Sequence, residues 1–556
     1  MRGVGLETTA PGARSVSPFL IQHRCGLRRP SADGAVQYHF FSALPAPSRL
    51  RRSNNPLQRR KHINHDKEIR EIDSMARDSE LDGLGLAELV RTRQASPGEL
   101  LEAAVSRAES VQPQINCFSA LYPDLAREQL KAGGIDGPYA GVPFVVKDLG
   151  VEVKGAPVTS GSRAFKGYVA SRDSTLVERF RKAGLVFFGA TTSPEFGLTL
   201  TTESTLYGQS RNPWDTTRIT GGSSGGAAAA VASGVLPVAH ASDGGGSIRI
   251  PAACCGLFGL KASRGRMPMG PAKTEGWNGL STVGVVSRTV RDTAAMLDLT
   301  HGPETGSRYA APAPARAYLS ELDRDPRPLR IALWPVAPNG TKPDADAAEG
   351  IANTAKLLES LGHTVVEAAP LIEGEALAKA GLFTISANIA ALVEERGIAR
   401  GLPVEDDELE PITASMVRLG RTVPMVELAK ANNAFITAAI IYEHFLDAGQ
   451  FDLTLSPTLH RAPDPLGTMA LTADPAAMGA AVAGFAPHCA LFNQTGCPAM
   501  TVPLHWTKPT PTAPAGLPIG MMFGARYGRE DLLLSLAGQL ERAAPWAHRK
   551  PPVWAG

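Results

Sequence analysis

Apolar residues along the chain follow two patterns. One is a stripe at helical spacing. Leu84, Leu86, Leu89 and Val90 form such a stripe. Ser96, followed by Pro97 and Glu99, then marks a helix start leading into Leu100, Leu101, Ala104 and Val105. The other pattern is a short, continuous apolar run, the signature of a buried strand. Segments that read as short buried strands, some broken by a single His, Arg, Thr, Gly or Pro, are Val142–Val146, Leu185–Phe188, Pro237–Ala241, Leu257–Leu260, Leu329–Trp334, Thr364–Val366, Leu453–Leu455, Met500–Leu504 and Ile519–Phe523. Helical candidates such as Ser174–Ala183 and Gly225–Ser233 lie between them. Buried strands alternating with helices predict an α/β layered fold around a largely covered sheet. Residues 373–448 read as mostly helical and interrupt the strand series, as an insertion or cap would. The Pro-rich segments 311–315 and 508–518 read as loops.

Composition narrows the class. The chain has 556 residues, 43% hydrophobic and 20% charged, with a net charge of +2. That is ordinary globular material, without the basic excess of a nucleic-acid binder. The charge is uneven. Residues 1–74 carry a balance of +7 and the remainder −5. The basic stretch has no apolar core of the kind a secretory signal needs. It reads as a disordered extension, an organelle leader, or translated sequence upstream of Met75, with the folded domain spanning 75–556. No run of about 18 uncharged apolar residues suggests a membrane span; Gly226–Val238 comes nearest. The six cysteines show no zinc spacing, which suits small core residues in a reduced, cytoplasmic protein.

Two Gly/Ser stretches carry the candidate chemistry: Thr220-Gly-Gly-Ser-Ser-Gly-Gly226 and Ser242-Asp-Gly-Gly-Gly-Ser-Ile-Arg-Ile-Pro251. Glycine lets the backbone approach a ligand closely, and successive N–H groups can cradle an anion. A P-loop would need a lysine after Gly226, and none is there. A dinucleotide fingerprint or a hydrolase elbow would need a preceding strand. Asn212–Thr220 is polar and contains Pro213, so no strand is expected there. Flexible linkers are not normally flanked by apolar segments such as Ala227–Val238.

Together with Gly141-Val-Pro-Phe-Val-Val-Lys-Asp148, Cys255-Gly-Leu-Phe-Gly-Leu-Lys261, Arg264-Gly-Arg-Met-Pro268, Val286-Ser-Arg-Thr-Val-Arg-Asp292 and Asn493-Gln-Thr-Gly-Cys-Pro-Ala499, these stretches make the sequence resemble the amidase signature family over roughly residues 80–550. The resemblance implies an α/β/α sandwich with a central mixed sheet covered by helices on both faces. It also implies a Ser–cis-Ser–Lys triad, with Ser247 as nucleophile, Ser223 as bridging serine and Lys147 as base. Ser224 is a neighbour without that role, and a non-proline cis peptide is expected between Gly222 and Ser223. The N–H groups of Gly244, Gly245, Gly246 and Ser247 would form the oxyanion hole, and Asp243 and Arg249 would brace the loop.

A serine hydroxyl needs a base, and lysine serves only when neutral. Burial at the end of Val142–Val146 would provide that by lowering the pKa of Lys147. The competing expectation for Lys147 is a surface pair with Asp148. Asp243 and Arg249 have an equivalent surface-pair alternative. His240 reads as a core residue. No metal or organic cofactor is called for.

Within the family, the A subunit of the aminoacyl-tRNA amidotransferase normally carries a run resembling A-S-S-L-D-Q-I-G-P. Here Met267–Val286 contains Trp277-Asn-Gly-Leu-Ser-Thr-Val instead. The stand-alone amidases of the 6-aminohexanoate cyclic-dimer hydrolase type look nearer, on Thr217–Gly222, Pro237–Ala241, Tyr527–Leu534 and Pro545-Trp546. That likeness implies hydrolysis of cyclic or linear aminohexanoate-type or aryl amides to acid and amine or ammonia through an acyl-Ser247 intermediate. The alternative is the amidotransferase A subunit, or a non-catalytic, partner-dependent subunit of the same fold. Trp277, Ser386 and Asn388 are candidate pocket residues. The expected partners are a small-molecule amide and water, with no nucleic acid and no membrane; a homodimer is left open.

Overall fold

A computed structural model describes residues 78–556. The reading of 1–74 as an extension lies outside the described residues, as does Cys25. Eleven strands matter here. They are β1 (Phe118–Leu121), β2 (Pro143–Lys147), β3 (Val186–Thr191), β4 (Val238–Asp243), β5 (Phe258–Lys261), β6 (Thr282–Ser287), β7 (Arg330–Leu333), β8 (Thr364–Glu367), β9 (Leu453–Pro457), β10 (Ala499–Trp506) and β11 (Pro518–Ala525). Eight of them form one mixed sheet in the order β8-β7-β9-β11-β10-β5-β6-β4. The β8/β7 and β7/β9 pairs are parallel and the others antiparallel. With its helical layers this is the expected α/β/α sandwich.

The remaining three strands form a separate sheet, β1-β3-β2. Its strand β2 lies against edge strand β4, where the Lys147 N–H donates to His240 Nδ1 at 3.2 Å. Every side chain of β2 and β4 is buried. This is why β2 reads as an apolar run, Pro-Phe-Val-Val, up to Lys147 rather than as an alternating strand.

All nine expected strands are present. Of the strands of four or more residues, three were missed. β6 is Thr-Val-Gly-Val-Val-Ser, whose glycine weakens the strand signal. β1 is short and only its first residue is buried. The third is Asp215–Ile219, paired with Arg211–Asn212 just before the first Gly/Ser stretch. The expectation that no strand precedes Gly221 is therefore wrong. Only the end residues of Asp215–Ile219 are buried, so the segment reads as polar. It lies outside the large sheet.

Local signals hold at the helices. Ser96 Oγ accepts the Glu99 N–H at 3.2 Å, and the Glu99 carboxylate accepts the Ser96 N–H at 2.7 Å. This reciprocal cap starts helix Pro97–Ile115. Residues 373–448 hold three helices: Gly374–Arg400, Pro411–Thr422 and Met425–Gly449. The first is long and apolar enough to cross a bilayer by length and composition, whereas the sequence pattern points to Gly226–Val238 as nearest to such a run. Its buried face includes Leu377, Thr384, Ile389 and Val393. The backbone of Ser386 lies so close to helix Pro411–Thr422 that a Cβ on Gly420 would meet its carbonyl at 2.0 Å.

Candidate active site

Two turns and a strand end meet at the junction of the sheets. β2 ends in Lys147, whose side chain is fully buried. The first Gly/Ser stretch turns into helix Gly225–Ala232, an all-apolar segment buried throughout. The second leaves β4 and enters helix Arg249–Cys255, likewise buried throughout. The Gly222–Ser223 peptide is cis. Gly222 has no room for a side chain, because a Cβ would lie 2.3 Å from the Thr201 carbonyl oxygen.

Lys147 Nζ donates to Ser223 Oγ at 2.7 Å and to Ser242 Oγ at 3.0 Å. Burial pushes the lysine down to about 7, against an opposing pull from Asp243. The amine is thus poised to carry or release a proton near neutrality. Asp148 does not pair with it. Its carboxylate accepts from the Thr159 N–H at 2.6 Å and the Thr159 hydroxyl at 2.5 Å. The surface-pair alternative for Lys147 therefore fails, since both residues are buried.

Ser224 cross-links the two turns. Its hydroxyl donates to the Ser242 carbonyl at 3.1 Å and accepts the Ser242 N–H at 3.2 Å. The turns also touch at Gly221, where a Cβ would lie 2.9 Å from Pro251 Cα. Ser223 and Ser247 sit on these apposed turns. They share no direct hydrogen bond, and Ser223 is engaged with Lys147.

Asp243 and Arg249 are both fully buried and bond twice, at 3.0 Å each. Burial works against the Asp243 charge, but Arg249, Lys261 and Asn493 hold its carboxyl below the usual range. The surface-pair reading of these two residues is corrected by this burial. Asp243 also accepts the Gly246 N–H at 2.7 Å and the Ile248 N–H at 3.2 Å. Gly246 must therefore be withdrawn from the expected oxyanion donors, because its amide already shapes the loop. His240 is buried, and burial, with Lys147 nearby, holds it down at about 3. It is neutral, as a core residue should be.

The chain matches the Amidase family over residues 99–534. The chain belongs to this family. A 6-aminohexanoate-cyclic-dimer hydrolase of Pseudomonas sp. (strain NK87) is 36% identical over 484 residues, spanning 85% of this chain and 96% of the relative. The solved structure of a 6-aminohexanoate cyclic dimer hydrolase complexed with substrate superposes with a TM-score of 0.81 at 35% identity, covering 86% of this chain and 99% of that one. A bacterial aryl acylamidase follows with a TM-score of 0.74 at 26% identity, covering 84% and 97%. The amidase hydrolyses a carboxylic amide C–N bond.

The remaining candidates of this amidase divide. Trp277 packs its ring against Gly244 of the second Gly/Ser stretch. Asn388 Nδ2 donates to the Thr384 carbonyl at 2.8 Å and reaches Asn278 Oδ1 at 3.4 Å, so it holds the Trp277 turn. Ser386 is fully buried, with its backbone against Gly420 and its Oγ lacking a hydrogen-bond partner. Two residues went unassigned in the sequence. Ser242 was visible only as the residue before Asp243. Asn493 opens the segment Asn493–Ala499, where nothing in the local sequence marks its role.

Proposed function

We propose that Ser247 is the nucleophile, Ser223 the bridging serine and Lys147 the base of an amidase acting on linear or cyclic aminohexanoate-type amides. The contact that carries this reading is the 2.7 Å approach of a buried Lys147 to Ser223. Neutral Lys147 accepts the Ser223 proton while Ser223 accepts that of Ser247. The Ser247 oxygen then bonds to the amide carbonyl carbon. The N–H groups of Gly244, Gly245 and Ser247 hold the oxyanion, each such donor contributing about 2.7–4 kcal/mol to the barrier reduction. The C–N bond breaks as Lys147 returns its proton through Ser223 to the leaving nitrogen. Water then attacks the acyl carbon, its proton passing back along the same route. The acid departs, and Ser247 recovers its proton.

The relatives described above support the substrate class. The three helices of 373–448 act as its cap, and the Trp277 segment argues against the amidotransferase subunit. The free state of Cys117, Cys254, Cys255, Cys489 and Cys497 suits a reducing compartment such as the cytoplasm.

Amine release from linear aliphatic, aryl and cyclic dimer amides, by the protein and by Ser247→Ala, tests the proposal. Release from the aliphatic or cyclic amides that disappears in the variant is expected. Release that persists in the variant overturns the assignment.

A further inference from the structure

The glycines of the nucleophile loop mark where space remains. A Cβ on Gly244 would lie 2.6 Å from Trp277 Cζ3 and 2.7 Å from Cε3. On Gly246 it would meet Ile250 at 2.6 Å and Cys489 at 2.8 Å. On Gly245 it would meet nothing within 4 Å. The free space on this loop, two residues before Ser247, therefore lies over Gly245, and the Trp277 indole closes its Gly244 side.

Trp277 reaches that place through an unusual turn. Trp277 and Asn278 have φ values of +50° and +53°. For a residue other than glycine such a conformation costs roughly 1–2 kcal/mol, and it persists only where the surroundings enforce it. They do so here. Gly276 bridges to Ser281, Arg264 Nε donates to the Gly279 carbonyl at 2.6 Å, and Asn388 reaches Asn278. The indole also packs on two apolar clusters, one containing Trp334, Leu377 and Phe435, the other Phe196 and Ile389. It is a fixed wall, backed by both the sheet region and the helices of 373–448.

We infer that Trp277 is a specificity-determining residue, which restricts the acyl side to amides of unbranched aliphatic acids. Its ring fills the space beside Gly244, three residues before Ser247, and so leaves no room there for a substituent on the carbon next to the carbonyl of an acyl group held by Ser247. An apolar wall also favours a methylene chain laid along it. A packed wall rejects added groups because neither it nor its backing can move without cost. The inference rests on Ser247 being the nucleophile.

The test compares kcat/KM for hexanamide and 2-methylhexanamide in the full protein and in Trp277→Phe, Trp277→Leu and Trp277→Ala. Wild type should favour the unbranched amide by about 10–200-fold, the range a single methyl group commands in a packed pocket. Trp277→Ala should narrow that ratio about tenfold or more by gaining on the branched amide, and Trp277→Phe should fall between. If Trp277→Ala does not fold, Phe and Leu give the ratio. Equal losses on both amides, or equal turnover of both by wild type, overturn the inference. So does a wild type that labels at Ser247 with a fluorophosphonate and hydrolyses neither. Label found on a residue other than Ser247 overturns the underlying assignment instead, whatever the ratio.

Discussion

Asn493 and Asp243 are 250 residues apart in sequence and joined twice. The Asn493 amide donates to both the backbone carbonyl and the carboxylate of Asp243, each at 2.9 Å. It also donates to the Leu280 carbonyl at 3.0 Å, and its oxygen accepts from Arg249 at 2.8 Å. One side chain thus ties the Asp243–Ser247 loop, its Asp–Arg brace and the segment leading from Trp277 into β6. Asn493→Ala removes one partner from each of these buried groups; Asp243 and Arg249 keep each other, and a buried group left without any partner costs about 1–3 kcal/mol. We expect chemical denaturation to show a loss of stability of at least about 2 kcal/mol, and kcat to fall more than KM changes. A variant as stable and active as wild type would contradict this role.

As the proposed base, Lys147 should set the acid limb of activity. With its folded value near 7, kcat/KM should fall about tenfold per pH unit below that point, as the amine gains a proton and ceases to be a base. A flat profile between pH 5 and 7 would refute Lys147 as the base.

Stability should carry the same mark. Unfolded lysine holds its proton to about 10.4, so between about 7 and that point the unfolded chain binds more protons. The burial penalty of Lys147 is therefore largest below about 7 and shrinks as pH rises. Lys147→Met should be inactive yet more stable at pH 6, by about 1–3 kcal/mol, and the gain should fade toward pH 10. Equal or lower stability at pH 6 would contradict this account of burial.

A second pair behaves in the opposite direction. The Glu410 N–H donates to the Glu195 carboxylate at 2.8 Å, and both side chains are buried. Burial, with Glu195 nearby, pushes Glu410 up to about 7. The folded chain therefore binds the extra proton between about 4.5 and 7, and stability falls as pH rises through that window. Glu410→Gln should melt higher than wild type at pH 8 and match it near pH 4.5. Glu195 lies in the turn that reaches Gly197, where a Cβ would lie 3.0 Å from Ser223 Oγ. A melting difference independent of pH would rule out the titration.

The sequence carried much of this, unevenly. Strands buried on both sides announce themselves where most positions are apolar, as in Pro143–Val146 of β2; β4 was legible from Val238, Ala239 and Ala241 although His240, Ser242 and Asp243 are polar. Asp215–Ile219 was not, because its middle residues face outward and look like a loop. The Gly/Ser stretches were legible because so little else explains glycines amid apolar segments. What escaped were pairings made across the fold. Ser242 meets Lys147 across 95 residues, and Glu410 meets Glu195 across 215. No local pattern records either. The commitment of the Gly246 amide to Asp243 was likewise invisible, since it depends on how the loop closes.

The most direct measurement is covalent labelling of the purified protein with a fluorophosphonate, followed by mass mapping of the modified peptide. The account predicts one adduct, on Ser247, absent in Ser247→Ala and strongly slowed in Lys147→Met. An adduct that survives in Ser247→Ala, or one found on Ser223 or Ser224, would contradict it.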